Sequence, residues 1–533
     1  MSKAYREKRK LERWKAKAME RGENLRGERK ERKRITEQRD QLKKELKEAR
    51  ARLRELETQI GKPAVMDKVD VVSLALQLFL VGHISFRAVS RVLTLLSGAL
   101  GIMNAPCPQT VINWVTRLSL VRIQSAPQLN GSPLAGAPSS NGFIWMIDTS
   151  IALGTGKILA ILALNAGYYK IGSGAPGLGS VHCIAVAVAY SWTGEAIAAF
   201  LERVIAVMGD PAAYLKDGGT DLQKGTRLLG ERGHRSLSID DISHFIANLI
   251  KWRYSEHPMF EIFMSACGRI SGKLKQTILA CLIPPKTQTK ARFMNLHRLV
   301  RWAERLLKLS PPGRAAKGSV LSELRACLDK LPECKGFIKG FLADVLPLLE
   351  CEKILKSRGL SESTLAQCEL LIQSIPSAGV REDFRDYLHC HIEIAKKLGL
   401  EKTGMPVSSD PIEGLFGTGK GHGTGETSDA NRIALRLPAF CGPPTREEVE
   451  LVLKLSVAEE QDLIGDIPSL TKQRRRVLQH PDELDSLAAD RAGAPLELIP
   501  GTKNRSKFPK TIDISSYYKN TASPATACQS GCG

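Results

Sequence analysis

The order of seven short segments between residues 143 and 239 constrains this chain more than any other feature. Phe143–Asp148, Lys157–Asn165 and His182–Tyr190 are apolar runs rich in β-formers, and the Gly-containing turns between them predict three consecutive antiparallel strands. Gly194–Met208 then takes helical apolar spacing. Ala213–Leu215 is a short strand ending at Lys216 and Asp217, Asp221–Leu229 is helical, and Leu237–Ile239 is a further short strand. The order βββαβαβ predicts an α/β domain in which one mixed sheet carries antiparallel hairpins and helix-connected parallel strands.

What flanks this core is mostly helical. Beyond Ser243, as far as about Leu400, only helical patterns occur, punctuated by Pro284, Pro285, Pro311 and Pro312, and apolar helix returns after Thr445. Ahead of the core, Val71–Val81, Ser85–Leu96 and Pro108–Leu120 read as three helices of a helix-turn-helix unit, with Ser85 as N-cap of the second. Its outward residues, Arg87, Arg91, Gln109, Thr110, Asn113 and Arg117, are of the types that contact bases and phosphates; a plain three-helix bundle with a polar face has the same spacing. Residues 1–60 hold 22 Lys or Arg against 12 Asp or Glu. Within them Leu42, Leu46, Ala49, Leu53, Leu56 and Ile60 recur at alternating steps of four and three, the seam of a coiled coil that would pair two protomers; a solvated single helix is the alternative.

These divisions give a basic coiled-coil arm at 1–62, a helix-turn-helix of DNA-binding type at 68–124, a Pro/Gly/Ser-rich linker at 125–141 and an α/β core at 142–250. An α-helical insertion at 251–405, a core-completing segment with C-terminal helices at 406–500 and a disordered tail at 501–533 follow. The net charge of +21 argues for a polyanionic partner. No apolar stretch approaches a membrane span and Met1–Lys10 lacks an apolar signal region, so the expected setting is cytoplasmic and nucleoid-associated. Twelve cysteines without a CxxC pair are expected to be reduced thiols.

Asp148 and Asp217 stand where two strands end, and if those strands are neighbours both carboxylates share one sheet edge. Two hard oxygen ligands beside Gly-rich turns make half of a magnesium site. A third is expected from Glu413, in Asp410-Pro411-Ile412-Glu413, although Asp-x-x-Glu is also a capping box. Lys420 lies seven residues on, two helical turns along the same face, where a cation can hold a phosphate. Asp221 is an alternative to Asp217. Asp240, Asp241 and His244 form a candidate supplementary site, with His244 otherwise an ordinary helix-start histidine. Lys286, Lys290, Arg292, Arg298 and Arg301 alternate with Phe293 and Trp302, and Trp302 is either core or a base-stacking platform. Gly414–Gly421 lacks the Ser or Thr and the preceding strand of a P-loop. His389, Cys390 and His391, like Cys528 and Cys532, lack the second ligand pair of a zinc site.

The strand order with Asp148, Asp217, Glu413 and Lys420 resembles the DDE transposases of bacterial insertion sequences, over roughly residues 70–450. That resemblance implies a ribonuclease-H-like catalytic domain with a large helical insertion, in which the three carboxylates hold two Mg2+ ions, or Mn2+, and Lys420 touches DNA. It further implies metal-dependent cleavage and strand transfer of double-stranded DNA, at terminal inverted repeats and at a target, by a homodimer or higher oligomer. A related nuclease that cuts without joining, or a DNA-binding regulator derived from such an enzyme, shares these residues.

Overall fold

A computed structural model of the chain describes residues 3–60, 66–131, 142–151, 156–171, 174–286, 292–421, 430–465, 478–480 and 496–501. The greater part of the expected linker, the tail beyond Gly501 with Cys528 and Cys532, and Lys290 lie outside the described residues. The chain divides into two compact units: Met1–Val71 with Phe86–Gln109, and Val72–Ser85 with Thr110–Gly533.

In the first unit, Lys3–Ile60 is one helix of 58 residues. Phe86–Leu96 is a second helix, whose Phe86, Val89 and Leu93 are buried at steps of three and four while Arg87 and Arg91 are exposed.

The second unit is built on a six-stranded mixed sheet in the order β5-β4-β1-β2-β3-β6. Its strands are β1 (Phe143–Ile151), β2 (Lys157–Asn165), β3 (Val181–Ala189), β4 (Ala213–Lys216), β5 (Leu237–Asp240) and β6 (Glu497–Leu498). β1, β2 and β3 pair antiparallel in sequence, while β4 pairs parallel with β1 and β5 parallel with β4. The expected neighbour relation between the first and fourth strands is therefore present. β6, which pairs antiparallel with the edge of β3, was not foreseen.

Alternation along β1 assigns its two faces. Trp145 and Ile147 join Leu159, Ile161 and Tyr214 in a core closed by Ile197, Phe200, Leu201 and Val204 of the helix Gly194–Met208. Ile144, Met146, Asp148 and Ser150 alternate onto the opposite face. The helices Asp410–Gly421 and Ala430–Arg436 pack on the sheet, the former against β1 and β2 and the latter against β2 and β3. Gly419 lets the former helix lie close to the turn Leu437–Phe440: a Cβ on it would stand 2.5 Å from Leu437 Cδ2.

Helices supply the rest of the unit, among them Ile242–Tyr254, Pro258–Leu274, Arg292–Lys308, Lys335–Arg358 and Ala378–Lys397. None of the described helices is long and apolar enough to cross a membrane. The ten cysteines among the described residues are free thiols.

Candidate active site

The parallel register brings the two aspartates together. The last β1–β4 pair is Ile147 with Lys216, so Asp148 and Asp217 are the next residues on neighbouring strands and alternate onto the same face. The sequence places Asp148 at the end of its strand, but β1 runs on to Ile151 because β2 keeps pairing with it after β4 has stopped. Its carboxylate Oδ1 accepts the Thr149 N–H at 2.6 Å. Asp217 Oδ1 accepts the N–H of Gly219 at 3.0 Å, folding the turn that leads into the helix Thr220–Glu231. Asp221 is exposed in that helix's first turn, and it is the charge of Asp217 that acts on Asp148 and His244.

Glu413 arrives on the helix Asp410–Gly421. The capping-box alternative is not what its surroundings favour: the helix start is tied by Ile412 N and Glu413 N to the Ser409 carbonyl, Asp410 pairs with Lys356 at 2.8 Å, and Glu413 Oε1 faces His244 Nε2 at 3.6 Å. The helix continues through its glycines to Gly421, so Lys420 does lie two turns from Glu413, and its ammonium donates to Ser150 Oγ on the Asp148 face of β1.

His244 is the residue whose place the sequence understated. Asp241 N-caps the helix Ile242–Tyr254, and its Oδ1 accepts both the His244 N–H at 2.8 Å and the His244 ring Nδ1 at 3.0 Å. Its Oδ2 accepts Ser409 N at 2.6 Å and Ser409 Oγ at 2.9 Å. One buried carboxylate thus locks the histidine in orientation and ties its helix to the segment that delivers Glu413. Asp240, by contrast, is spent on a cross-strand pair with buried Lys216 at 2.8 Å. The supplementary site expected from Asp240, Asp241 and His244 is therefore corrected to a scaffold that orients His244.

The electrostatics follow. Burial, then the charge of Asp217, push the Asp148 carboxyl up to about 7; Glu413 adds to this, while the Thr149 N–H and His244 oppose it. Burial likewise raises Glu413, against the pull of His244. Burial works against the His244 cation, but the Asp241 hydrogen bond and the charges of Asp241, Glu413 and Asp217 hold it at about 9. Burial lowers Lys420, and Asp148 opposes that shift. Four segments far apart in sequence therefore contribute Asp148, Asp217, His244 and Glu413 to one electrostatically coupled cluster, with Lys420 beside it.

Among the described residues no three His, Cys, Asp or Glu side chains are grouped so as to hold a metal ion. On donor chemistry the carboxylate oxygens of Asp148, Asp217 and Glu413 are of the kind a hard divalent cation takes, and a cation there would offset the charges of Asp217 and Glu413 that act on Asp148.

Elsewhere the expected positions meet mixed outcomes. Gln109, Thr110 and Asn113 are half-buried. Arg117, expected to face outward, is corrected: its Nε donates to buried Glu460 at 2.8 Å, a partner 343 residues away. Trp302 donates its indole N–H to the Leu282 carbonyl at 2.8 Å, and Phe293 is buried, which favours the core alternative for that stripe. Arg122 was overlooked. It reaches Glu448 and the carbonyls of Ala439 and Cys441, and so clamps the helix Pro108–Ser125 to the loop after Leu437–Phe440.

Comparison of the chain with protein-family models and with curated proteins found no match.

Proposed function

We propose that the protein is a DDE-type transposase with a ribonuclease-H-like core, cleaving and joining phosphodiesters of double-stranded DNA as a dimer or higher oligomer. The observation that carries this reading is that Asp148 and Asp217 follow the last parallel β1–β4 pair, where β4 ends beside β1 in a mixed sheet, with the charge of Glu413 also acting on Asp148. The strand order β5-β4-β1-β2-β3 supports it further. Asp148, Asp217 and Glu413 would hold the divalent cations. Bound there, Mg2+ or Mn2+ would stabilise charge on the attacking and leaving oxygens of an in-line displacement at phosphorus.

The chain's own residues do the positioning. Thr149 N–H and Gly219 N–H each take one carboxylate oxygen of Asp148 and Asp217 and so fix those side chains. Asp241 orients His244, and His244 faces the Glu413 carboxylate. Lys420, anchored on Ser150, offers a cation to a DNA phosphate beside Asp148. Arg87 and Arg91 supply exposed cations for DNA elsewhere in the chain.

The test is incubation of the full chain with labelled duplex carrying a candidate element end, with Mg2+ or with EDTA. Mg2+-dependent nicks followed by joined products are expected. Nicks without joined products would reduce the reading to a nuclease, and binding without cleavage would leave a DNA-binding regulator.

A further inference from the structure

The helix Lys3–Ile60 carries its charge in two blocks. Residues 1–39 hold 16 Lys or Arg against 7 Asp or Glu, whereas residues 40–60 hold 6 against 5. The heptad phase that puts Leu42 and Ala49 at d and Leu46 at a sets Arg39 and Arg32 at a when carried towards the N-terminus, so the apolar seam is interrupted there. Leu42 and Leu46 are 64% and 41% exposed, an apolar seam left open by the described residues of the chain.

We propose that this helix is a parallel, in-register zipper over residues 40–60 whose basic N-terminal halves fork to grip a DNA duplex. The occupant of the seam is a second copy of this chain, and charge sets the orientation. In a parallel pair each g residue lies beside the partner's e residue five positions on. Glu45 then meets the partner's Arg50, and the same opposite-sign spacing recurs in the sequence at Arg52 and Glu57. An antiparallel pair would set e against e, where residues 40–60 offer Lys43, Arg50 and Glu57 and a central Arg50 would face the same residue of the second copy, whereas both charged g–e pairs of the parallel arrangement are of opposite sign.

The parallel zipper stops holding where the a positions become Arg39 and Arg32 and where Lys10 would meet the partner's Lys15, since these set like charges against each other. Past that point the two helices repel and splay. Each arm, 37 residues from Lys3 to Arg39, is about 55 Å long at the α-helical rise, ample to cross a groove. Arg29, Lys30, Lys33 and Arg34 are exposed on it. Continuous basic helices diverging from a dimer seam are a known way to straddle duplex DNA, with phosphates neutralising the charge that drives the helices apart.

The inference does not rest on the catalytic reading, so its assays are run on the full chain in EDTA. In a background with Cys281, Cys390, Cys528 and Cys532 changed to Ser, Leu42→Cys should give, on oxidation, a covalent dimer that the same background with Leu42 does not form. Glu45→Arg should lower its yield, and adding Arg50→Glu should restore it. Changing Arg29, Lys30, Lys33 and Arg34 to Gln should leave that dimer intact. The same change should reduce the slope of log affinity against log salt on random duplex by about 0.9 for each residue that contacts phosphate. Absence of the covalent dimer from the oxidised Leu42→Cys chain, or failure of the double reversal to restore it, overturns the parallel zipper. An unchanged salt slope overturns the DNA-gripping arms.

Discussion

Replacing Asp148 by Asn should stabilise the fold, in a manner that depends on pH. Burial first, and then the neighbouring Asp217 charge, lift this carboxyl from its usual 3.8 to about 7. Below about pH 4 it is protonated folded and unfolded alike and contributes nothing to pH-dependent stability. Between about pH 4 and 7 the unfolded chain releases the proton that the folded chain keeps, so stability falls as pH rises. Above 7 the buried charge opposes folding in full. A shift of about three pK units at about 1.4 kcal/mol each sets the cost at up to about 4 kcal/mol. Asp148→Asn keeps the shape and removes the ionisation. Urea unfolding in EDTA should find the variant more stable by up to about 4 kcal/mol at pH 8 and within about 1 kcal/mol of the unmodified chain at pH 4.5. Mg2+ at a hundred times its dissociation constant should return about 2.7 kcal/mol to the unmodified chain and far less to the variant. Equal effects of the substitution at both pH values would refute the assignment of a costly buried charge to Asp148.

Three further outcomes follow from the geometry. His244 gains a proton partner on folding, so its contribution is complete below about pH 6.5 and fades as pH rises through about 9; His244→Gln should cost up to about 3 kcal/mol at pH 6 and little at pH 10 in denaturant titrations. Gly419→Val would drive a Cβ against Leu437, and should cost about 1–3 kcal/mol in thermal unfolding while displacing the Glu413 helix enough to depress DNA cleavage. Arg122→Ala removes the ion pair of Glu448, which keeps its bond from the Thr445 N–H, and leaves several loop carbonyls without their donor; it should cost about 1–3 kcal/mol in urea unfolding, against the fraction of a kcal/mol expected from an exposed pair such as Arg227 with Glu231.

The strands were legible where their signal is local. β2 is apolar through its length because both faces are covered, and its ends coincide with those read from the run Lys157–Asn165. Asp148 and Asp217 could be singled out because a carboxylate closing an apolar run is conspicuous, and parallel pairing sets the two on neighbouring strands. β6 left no such trace: two residues pairing with the edge of β3 are too few for periodicity to register. His244 looked like an ordinary residue at a helix start because its significance lies in Ser409 and Glu413, more than 160 residues later. Arg117 misled, and Arg122 gave no signal, for the same reason. On an isolated helix their guanidiniums read as DNA contacts or as nothing, and only the fold supplies Glu460 and Glu448.

The claim at the centre is that Asp148, Asp217 and Glu413 serve one divalent-cation site. Titration of Mn2+ into the full chain, followed by electron paramagnetic resonance of the free ion, measures this without DNA or turnover. Binding should weaken at least tenfold in each of Asp148→Asn, Asp217→Asn and Glu413→Gln, while Asp221→Asn should bind as the unmodified chain does. Unchanged Mn2+ affinity in any one of the first three would contradict a shared site.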